Sequence, residues 1–191
     1  MRVIAGTLRR RTLEAPAGMA TRPTSDRLRE TVFNVLAPRI EGARFLDLYA
    51  GSGAVGIEAV SRGAQNVIMV ERAAPALKIL RGNLEKLGLG GAVRVEPVSV
   101  RAFLKKLRPE SAGLAFDIVF LDPPYDAQDE YALALGMLGG DASRLLANDS
   151  VVVAEHRCKE KLEDKYGVLV RTRVLEQGDA ALSFYRAAVS W

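Results

Sequence analysis

The chain has 191 residues, of which 49% are hydrophobic and 26% are charged, and its formal net charge is +4. One domain of ordinary size fits this length, and such a chain can bury a hydrophobic core without disulfides. A single cysteine and a single histidine exclude a disulfide framework and a metal site built from cysteine or histidine clusters. With no apolar run long enough to span a bilayer and no signal-peptide pattern, we expect a cytoplasmic protein that makes no use of a membrane.

The positive charge is concentrated in the segment 1–40, which carries eight arginines against three acidic side chains. Arginine binds phosphate in bidentate geometry and stacks on bases, so this composition favours a nucleic-acid partner. A solvated surface with internal ion pairs is the alternative interpretation. We divide the chain into an arginine-rich arm and helix over 1–40 and a main domain over 41–191, within one compact unit.

In chain order, residues 2–13 alternate loosely around Gly6 and predict a short β-hairpin or extended arm, and a helix is predicted near 26–37. From residue 44 onward, short apolar runs alternate with helical stretches, which is typical of a parallel sheet covered on both faces. The predicted strands are 44–48, 66–71, 93–98, 117–121 and 151–155, and the predicted helices are 54–62, 74–87, 99–106 and 129–146. The segments 168–176 and 181–189 predict an antiparallel hairpin. The expected fold is therefore α/β and Rossmann-like, with a mostly parallel seven-stranded sheet.

A glycine-rich loop follows the first of these strands. Gly51, Gly53 and Gly56 satisfy the pattern G-x-G-x-x-G between a strand and a helix, and Glu71 ends the next strand. This layout lets a nucleotide approach the backbone closely, and the acidic side chain can accept hydrogen bonds from ribose hydroxyls. The loop alone is compatible with a nicotinamide dinucleotide.

Asp47, four positions before the first glycine, separates two classes of ligand. A carboxylate aimed into the loop repels a pyrophosphate and suits a ligand that carries positive charge. S-adenosylmethionine has no phosphate and carries both an ammonium and a sulfonium, so Asp47 favours this methyl donor over NAD. The alternative is that Asp47 caps the turn that follows its strand.

A second motif, Asp122-Pro123-Pro124-Tyr125, follows the fourth strand. Two prolines end the strand and leave a cluster of acceptors, the Asp122 carboxylate and the Pro123 carbonyl, at the edge where ligands of parallel sheets bind. Such acceptors could hold the two N–H groups of an exocyclic amine and direct its lone pair at a methyl group. Tyr125 could stack on the base that carries the amine. An ordinary strand-ending turn is the alternative.

These motifs resemble those of amino-group methyltransferases that act on nucleic-acid bases or on glutamine. The segments 22–36, 46–64 and 1–6 more closely resemble the bacterial RsmD-type 16S ribosomal RNA guanine-N2 methyltransferases. The resemblance is strong over about residues 1–125 and loose over the C-terminal hairpin. Arg-Pro-Thr-x-Asp-Arg-x-Arg-Glu over 22–30 is its most specific part, because the other motifs are shared across the superfamily.

The resemblance implies an S-adenosylmethionine-dependent methyltransferase that modifies the N2 amine of a guanosine in small-subunit rRNA, and we expect it to be a monomer. It implies a donor site of Asp47, Tyr49, Ala50, Gly51, Ser52, Gly53, Glu71, Arg72 and Ser99, a catalytic group of Asp122, Pro123, Pro124 and Tyr125, and RNA contacts from Arg9, Arg10, Arg11, Arg22, Thr24 and Arg27. Ser99 stands where many relatives place an aspartate that accepts from adenine.

Three rival functions remain open at this point: a DNA adenine-N6 methyltransferase, a non-catalytic RNA-binding protein on the same fold, and an NAD-dependent oxidoreductase. We expect a structural role for His156 and none for Cys158, because the proposed chemistry needs neither a strong base nor a thiolate. Glu30 is expected either to pair with Arg27 or Arg29 or to cap the donor site.

Overall fold

A computed structural model of the chain describes residues 1–15, 26–106, 115–124 and 128–187. The helices are α1 Asp26–Ile40, α2 Ala54–Ser61, α3 Ala74–Lys86, α4 Val100–Lys106 and α5 Gln128–Gly139, followed by a 3₁₀ turn at Ser143–Leu145. The strands are β1 Arg44–Leu48, β2 Asn66–Val70, β3 Val93–Glu96, β4 Phe116–Leu121, β5 Leu146–Arg157, β6 Lys165–Tyr166, β7 Leu169–Gln177 and β8 Ala180–Ala187. None of the described helices is long and apolar enough to cross a bilayer.

The strands form one sheet in the order β3-β2-β1-β4-β5-β8-β7-β6. Strands β1 to β5 pair in parallel, and β8, β7 and β6 extend the sheet with antiparallel pairs. After β3 the chain returns to the far side of β1, so the strand order reverses between β1 and β4. In open α/β sheets a ligand crevice forms at such a switch point, outside the carboxyl ends of the strands.

Alternate residues of the parallel strands face two separate cores. Phe45 of β1 packs with the N-terminal arm, α1, α2 and α3 on one face, and Leu46 packs with α4 and α5 on the other. Phe33 of α1 stacks on Phe45, with 6.1 Å between the ring centroids. Because both faces are covered, the central strands are apolar on both sides, as the sequence predicted.

The predicted N-terminal hairpin is present. Arg2 and Thr12 form an antiparallel bridge, and the Val3 and Leu13 amides donate to the Arg11 and Met1 carbonyls. The Val3 and Leu13 side chains are both buried in the core that contains α1. The region 1–15 and the main domain therefore share one hydrophobic core.

The predicted helix 129–146 is wrong at its C-terminal end, because α5 ends at Gly139 and β5 begins at Leu146. The backbone of β6 crosses α5 at this point, and a Cβ at Gly139 would overlap the Tyr166 carbonyl oxygen. The Gly139 carbonyl also accepts from the Val168 amide, at 2.8 Å. The sheet has eight strands, one more than the seven that the sequence predicted. The additional strand is β6, which was not predicted because two residues are too few to show alternation.

The predicted ends of α1 and β3 also differ from the observed ends, by fewer residues. Helix α1 continues past Pro38 to Ile40, whose side chain is buried, and β3 ends at Glu96, directly before Pro97. The predicted C-terminal hairpin is confirmed, with Gly178 in the left-handed region at φ +63° in the turn between β7 and β8.

Candidate active site at the carboxyl ends of the parallel strands

The register of three strands brings the two sequence motifs together. Leu48 of β1 pairs with Val70 of β2 on one side and with Leu121 of β4 on the other. The residues that follow these partners are Tyr49, Glu71 and Asp122. The glycine loop, the acidic residue after β2 and the Asp-Pro-Pro motif therefore begin side by side at the switch point of the sheet.

The glycine loop turns sharply away from β1. Tyr49 has a left-handed backbone at φ +66°, as do Gly51 at φ +56° and Gly53 at φ +83°. A non-glycine residue in this region is strained, and such strain is concentrated at binding sites. A Cβ built at Gly51 would meet no atom within 4 Å, so the loop backbone borders open space there.

Glu71 closes the loop from the neighbouring strand. Its Oε2 accepts from the Gly51 amide at 2.9 Å, and its Oε1 accepts from the Ala73 amide at 2.7 Å. The side chain is half-buried, so the carboxylate is both held by backbone donors and reachable from solvent. Arg72, beside it, is exposed.

Asp47 lies below the loop instead of projecting from it. Its carboxylate is buried and accepts from the Gly56 amide in the first turn of α2, at 2.9 Å. This is the turn-capping contact that the sequence left as the alternative. Burial is the main reason why the pKa of Asp47 is raised to about 7; the charge of Glu71 adds to the increase, and the hydrogen bond from Gly56 opposes it.

The third glycine of the motif serves packing. A Cβ at Gly56 would overlap the Met69 Cε and would lie 3.2 Å from the Asp47 Oδ2. Glycine at this position therefore lets α2 approach β2 closely.

Tyr49 links the loop to α5. Its hydroxyl donates to the Glu130 Oε2 at 2.8 Å, and burial together with this hydrogen bond raises the pKa of the phenol. The charge of Arg72 acts on the same phenol in the opposite direction. Glu130 was not singled out from the sequence, because an acidic residue in the first turn of a helix is ordinary.

Ser99 lies after β3, at the same edge of the sheet, and is half-buried. Its Oγ accepts from the Ala102 amide at 3.2 Å, and its carbonyl accepts from the Phe103 amide at 2.9 Å. Both contacts are those of a helix N-cap. In this structure Ser99 therefore caps α4, and its role toward an adenine stays a prediction.

The Asp-Pro-Pro segment leaves β4 with Asp122 half-buried, Pro123 buried and Pro124 exposed. Since proline has no amide hydrogen, Pro123 and Pro124 contribute acceptors only at this edge. Tyr125 lies outside the described residues, so its predicted stacking role stays a prediction.

The predicted RNA-contacting arginines are presented to solvent where the structure describes them. Arg9, Arg10 and Arg11 are exposed on the hairpin, and Arg27 is exposed on α1. Arg11 also donates to the Lys86 carbonyl at the end of α3, with 3.4 Å between the atoms. The remaining two members of the set, Arg22 and Thr24, lie outside the described residues.

A buried glutamate, which sequence reasoning missed, anchors the arm. Glu58 of α2 is fully buried and accepts from the Ile4 amide at 2.8 Å and the Ala5 amide at 3.0 Å. Arg62 pairs with it at 2.7 Å, and the Arg29 Nε lies 3.9 Å from its carboxylate. The sequence signal was a lone acidic residue in an otherwise apolar helix.

Arg29, the penultimate residue of the specific motif 22–30, is buried in the same network. Its Nη2 donates to the Arg2 carbonyl at 2.6 Å and to the Asp26 Oδ1 at 2.9 Å. Burial lowers the pKa of this guanidinium, and the charges of Asp26 and Glu58 oppose that effect. Glu30 is exposed, and Arg29 forms its ion pairs with Asp26 and Glu58 instead.

His156 and Cys158 both make contacts within the fold. The His156 Nδ1 lies 2.9 Å from the Arg157 carbonyl, which can only accept, so in the neutral ring Nδ1 carries the hydrogen and Nε2 accepts from the Ser183 hydroxyl at 2.9 Å. Burial lowers the pKa of this imidazole and favours its neutral form. Burial also raises the pKa of the Cys158 thiol, whose sulfur lies 3.2 Å from the Ala180 carbonyl and 3.4 Å from the Gly178 carbonyl.

Comparison with known proteins places the chain in a family. The model of the family described as "Conserved hypothetical protein 95" matches residues 1–186. "Putative rRNA methyltransferase YlbH" of Bacillus subtilis (strain 168) is 39% identical over 186 residues, covering 97% of this chain and 98% of that protein. Ribosomal RNA small subunit methyltransferase D of Escherichia coli (strain K12) is 42% identical over 125 residues, which are 65% of this chain and 60% of that protein.

The solved structure of the Escherichia coli protein yhhF has a TM-score of 0.83 and 30% identity, and the match covers 100% of this chain and 99% of that one. The Rossmann-like methyltransferase fold expected from the sequence is thereby confirmed. The chain belongs to this family of RsmD-type methyltransferases.

Proposed function

We propose that this member of the family transfers a methyl group from S-adenosylmethionine to the exocyclic N2 amine of a guanosine in small-subunit ribosomal RNA. The observation that carries the proposal is the register Val70–Leu48–Leu121, because it sets Glu71, the glycine loop and Asp122 at one edge of the sheet. One crevice can therefore hold both a donor and an acceptor group.

The loop residues fit the donor. Open space beside Gly51 accepts a ligand against the backbone, and the half-exposed Glu71 can accept from ribose hydroxyls while it holds the Gly51 amide. The ionised form of Asp47, below the loop, adds negative potential without presenting an anion to solvent, which suits a cation and disfavours a pyrophosphate. When bound, S-adenosylmethionine supplies an electrophilic methyl group on a positively charged sulfur.

Asp122 and Pro123 act on the amine. The guanine N2 lone pair is delocalised into the ring, so the nitrogen is a weak nucleophile until its two N–H groups are held by acceptors. The Asp122 carboxylate and the Pro123 carbonyl take this role and direct the lone pair along the line of transfer. As the N–C bond forms the S–C bond breaks, and the amine proton then leaves to water. Tyr125 stacks on the guanine.

The arm supplies the RNA contact. Arg9, Arg10 and Arg11 are exposed on a hairpin whose other face is anchored in the core, so they can bind phosphates without ordering a free chain. The enzyme acts as a cytoplasmic monomer on rRNA within a small-subunit particle. This partner agrees with the names of the rRNA methyltransferases to which the chain is similar.

The test is transfer of a labelled methyl group to small-subunit particles and to naked rRNA, followed by mapping of the modified base. Asp122→Ala should lower the transfer rate by about 100-fold or more, because an acceptor for the reacting amine is lost. Donor affinity, measured by calorimetry, should stay within about twofold. The matched control is Asp141→Ala, which should transfer at the wild-type rate. Asp141 is an exposed aspartate between α5 and the start of β5, at the opposite edge of the sheet.

The same measurements, with DNA added as a methyl acceptor and NAD added as a ligand in calorimetry, separate the rival functions. Label on adenine-N6 of DNA, binding of NAD in place of S-adenosylmethionine, or RNA binding without any transfer would each contradict the proposal. Near-normal transfer by Asp122→Ala would contradict the role given to the Asp-Pro-Pro segment. It would not contradict the proposal that small-subunit rRNA is the substrate.

A further inference from the structure

A single buried amide touches both the donor loop and the arm. Asn83 of α3 is fully buried, and its Nδ2 donates to the Ser52 carbonyl between the first two glycines of the loop, at 2.9 Å. The same Nδ2 donates to the Glu14 carbonyl at 3.1 Å, and the Oδ1 accepts from the Glu14 amide at 2.8 Å. Helix α3 thus joins two segments that are distant in the chain, one at Glu14 and the other at Ser52.

The chemistry of these contacts leaves little freedom. An amide nitrogen has two hydrogens, and both are used, one toward the arm and one toward the loop. The Asn83 side chain is 0% exposed, so the protein groups alone satisfy it in this structure. A displacement of Ser52 or of Glu14 would therefore leave a buried donor unsatisfied, and the side chain has one arrangement that satisfies both segments.

Asn83 also breaks the pattern of its own helix. Leu77, Leu80 and Leu84 fill the buried side of α3, and Asn83 occupies a fully buried place beside them. A leucine there would add apolar contact but could pair with neither Ser52 nor Glu14, so the amide points to a role in positioning the two chain segments.

Resting on the proposed function, we propose that Asn83 is a positioning residue that couples methyl-donor binding at the glycine loop to RNA binding by the arginine-rich arm. Bound S-adenosylmethionine that holds the loop around Ser52 in its binding geometry also holds Glu14 through Asn83. It therefore also holds the hairpin that carries Arg9 to Arg11. By linkage, RNA on the arm must raise donor affinity by the same factor.

A second arm contact provides the matched control. The Ser61 Oγ accepts from the Leu8 amide at 2.9 Å and donates to the Ala5 carbonyl, so it fastens the same hairpin to α2. These side-chain contacts join α2 to the arm and lie away from the glycine loop. Ser61→Ala thus weakens the arm and leaves the link to the loop in place.

The experiment measures the affinity of the full chain for S-adenosylmethionine with and without a 16S rRNA transcript, and for the transcript with and without S-adenosylmethionine. Wild-type protein should show about a tenfold increase of each affinity in the presence of the other ligand. Asn83→Leu, of similar volume, should abolish this increase. Ser61→Ala should bind RNA more weakly and keep the increase. Asn83→Asp retains an acceptor for the Glu14 amide and loses the donors toward the Ser52 and Glu14 carbonyls. It should behave as Asn83→Leu does and serves if the leucine variant fails to fold.

Two kinds of failure are distinguishable. Wild-type protein that binds neither S-adenosylmethionine nor the transcript contradicts the proposed function. Wild-type protein that binds both without coupling, or coupling that survives in the folded Asn83 variants, overturns the role of Asn83 alone.

Discussion

Two glutamates in this molecule make the same kind of contact in two different regions. Glu58, below the arm, accepts from the Ile4 and Ala5 amides, and Glu71, at the sheet edge, accepts from the Gly51 and Ala73 amides. Glu58 is 0% exposed and lies beside two arginines, whereas Glu71 is half-buried and borders solvent. Glu58 orders the N-terminal hairpin, and Glu71 orders the glycine loop.

The difference lies in what else each carboxylate can bind. Glu58 is enclosed by protein, including Arg62, whose guanidinium also lies 5.1 Å from the centre of the Phe33 ring. Glu71 keeps an exposed fraction at the carboxyl end of β2, where a ligand can share it. The arm is thus held by a closed network, and the donor loop by an open one.

The largest expected effect on stability comes from a substitution in the closed network around Glu58. Glu58→Gln removes the charge that faces Arg29 and Arg62 and sets an amide NH₂ against backbone donors, so we expect a loss of about 4 kcal/mol in the free energy of unfolding. Denaturant unfolding measures it. The counterpart Glu71→Gln should lose about 1 kcal/mol or less. An equal loss in the two variants would contradict the distinction between the two networks.

The side-by-side placement of the glycine loop, Glu71 and Asp122 could be predicted from the sequence because its signals are local. The glycine spacing, Glu71 and Asp122-Pro-Pro each follow a strand directly, and parallel register then brings the strand ends together. The fold class followed from the same alternation of strands and helices. The direction of the Asp47 side chain did not, because a strand-ending aspartate can point into a loop or cap its turn with the same neighbours in sequence.

The arm's attachment could not be predicted, because it depends on pairs that are distant in the chain. Glu58 meets Ile4 across 54 positions, and Asn83 meets Glu14 across 69. Each was visible only as a polar residue on an apolar helix face, without an indication of its partner. The end of α5 was missed for the same reason, since Gly139 is required by the backbone of β6 and not by its own helix.

The second-largest expected effect is a change of about 3 kcal/mol in the unfolding free energy with pH, and it comes from Asp47, the buried acid below the glycine loop. The pKa of Asp47 rises from 3.8 to about 7 on folding, so between these values the folded state binds more protons than the unfolded state. The stability that this group contributes is complete below pH 3.8 and is lost as the pH rises through about 7. Asp47→Asn has no such titration and can still accept from the Gly56 amide.

The measurement is the difference in unfolding free energy between wild type and Asp47→Asn from about pH 4 to about pH 8. Wild type should lose stability relative to the variant by about 3 kcal/mol across this range, and most of the loss should fall below about pH 7. A difference that stays constant with pH would show that Asp47 titrates normally. It would also remove the contrast between this buried acid and the half-exposed Glu71.

The smallest effect on stability tests the openness of the donor loop most directly. Gly51 and Gly42 have similar left-handed backbones, φ +56° and +72°, and a Cβ at either would meet nothing within 4 Å. Alanine at each should therefore lower the unfolding free energy by the same amount, about 1 kcal/mol, from backbone strain alone. Gly42 lies in the turn between α1 and β1, so Gly42→Ala should bind S-adenosylmethionine as wild type does. Gly51→Ala should bind it about tenfold more weakly or worse in calorimetry, because the added methyl group occupies space that the ligand needs. Equal affinity of the two variants for S-adenosylmethionine would mean that the space beside Gly51 is not part of the methyl-donor site. The proposal that a ligand binds beside Glu71 would then be contradicted.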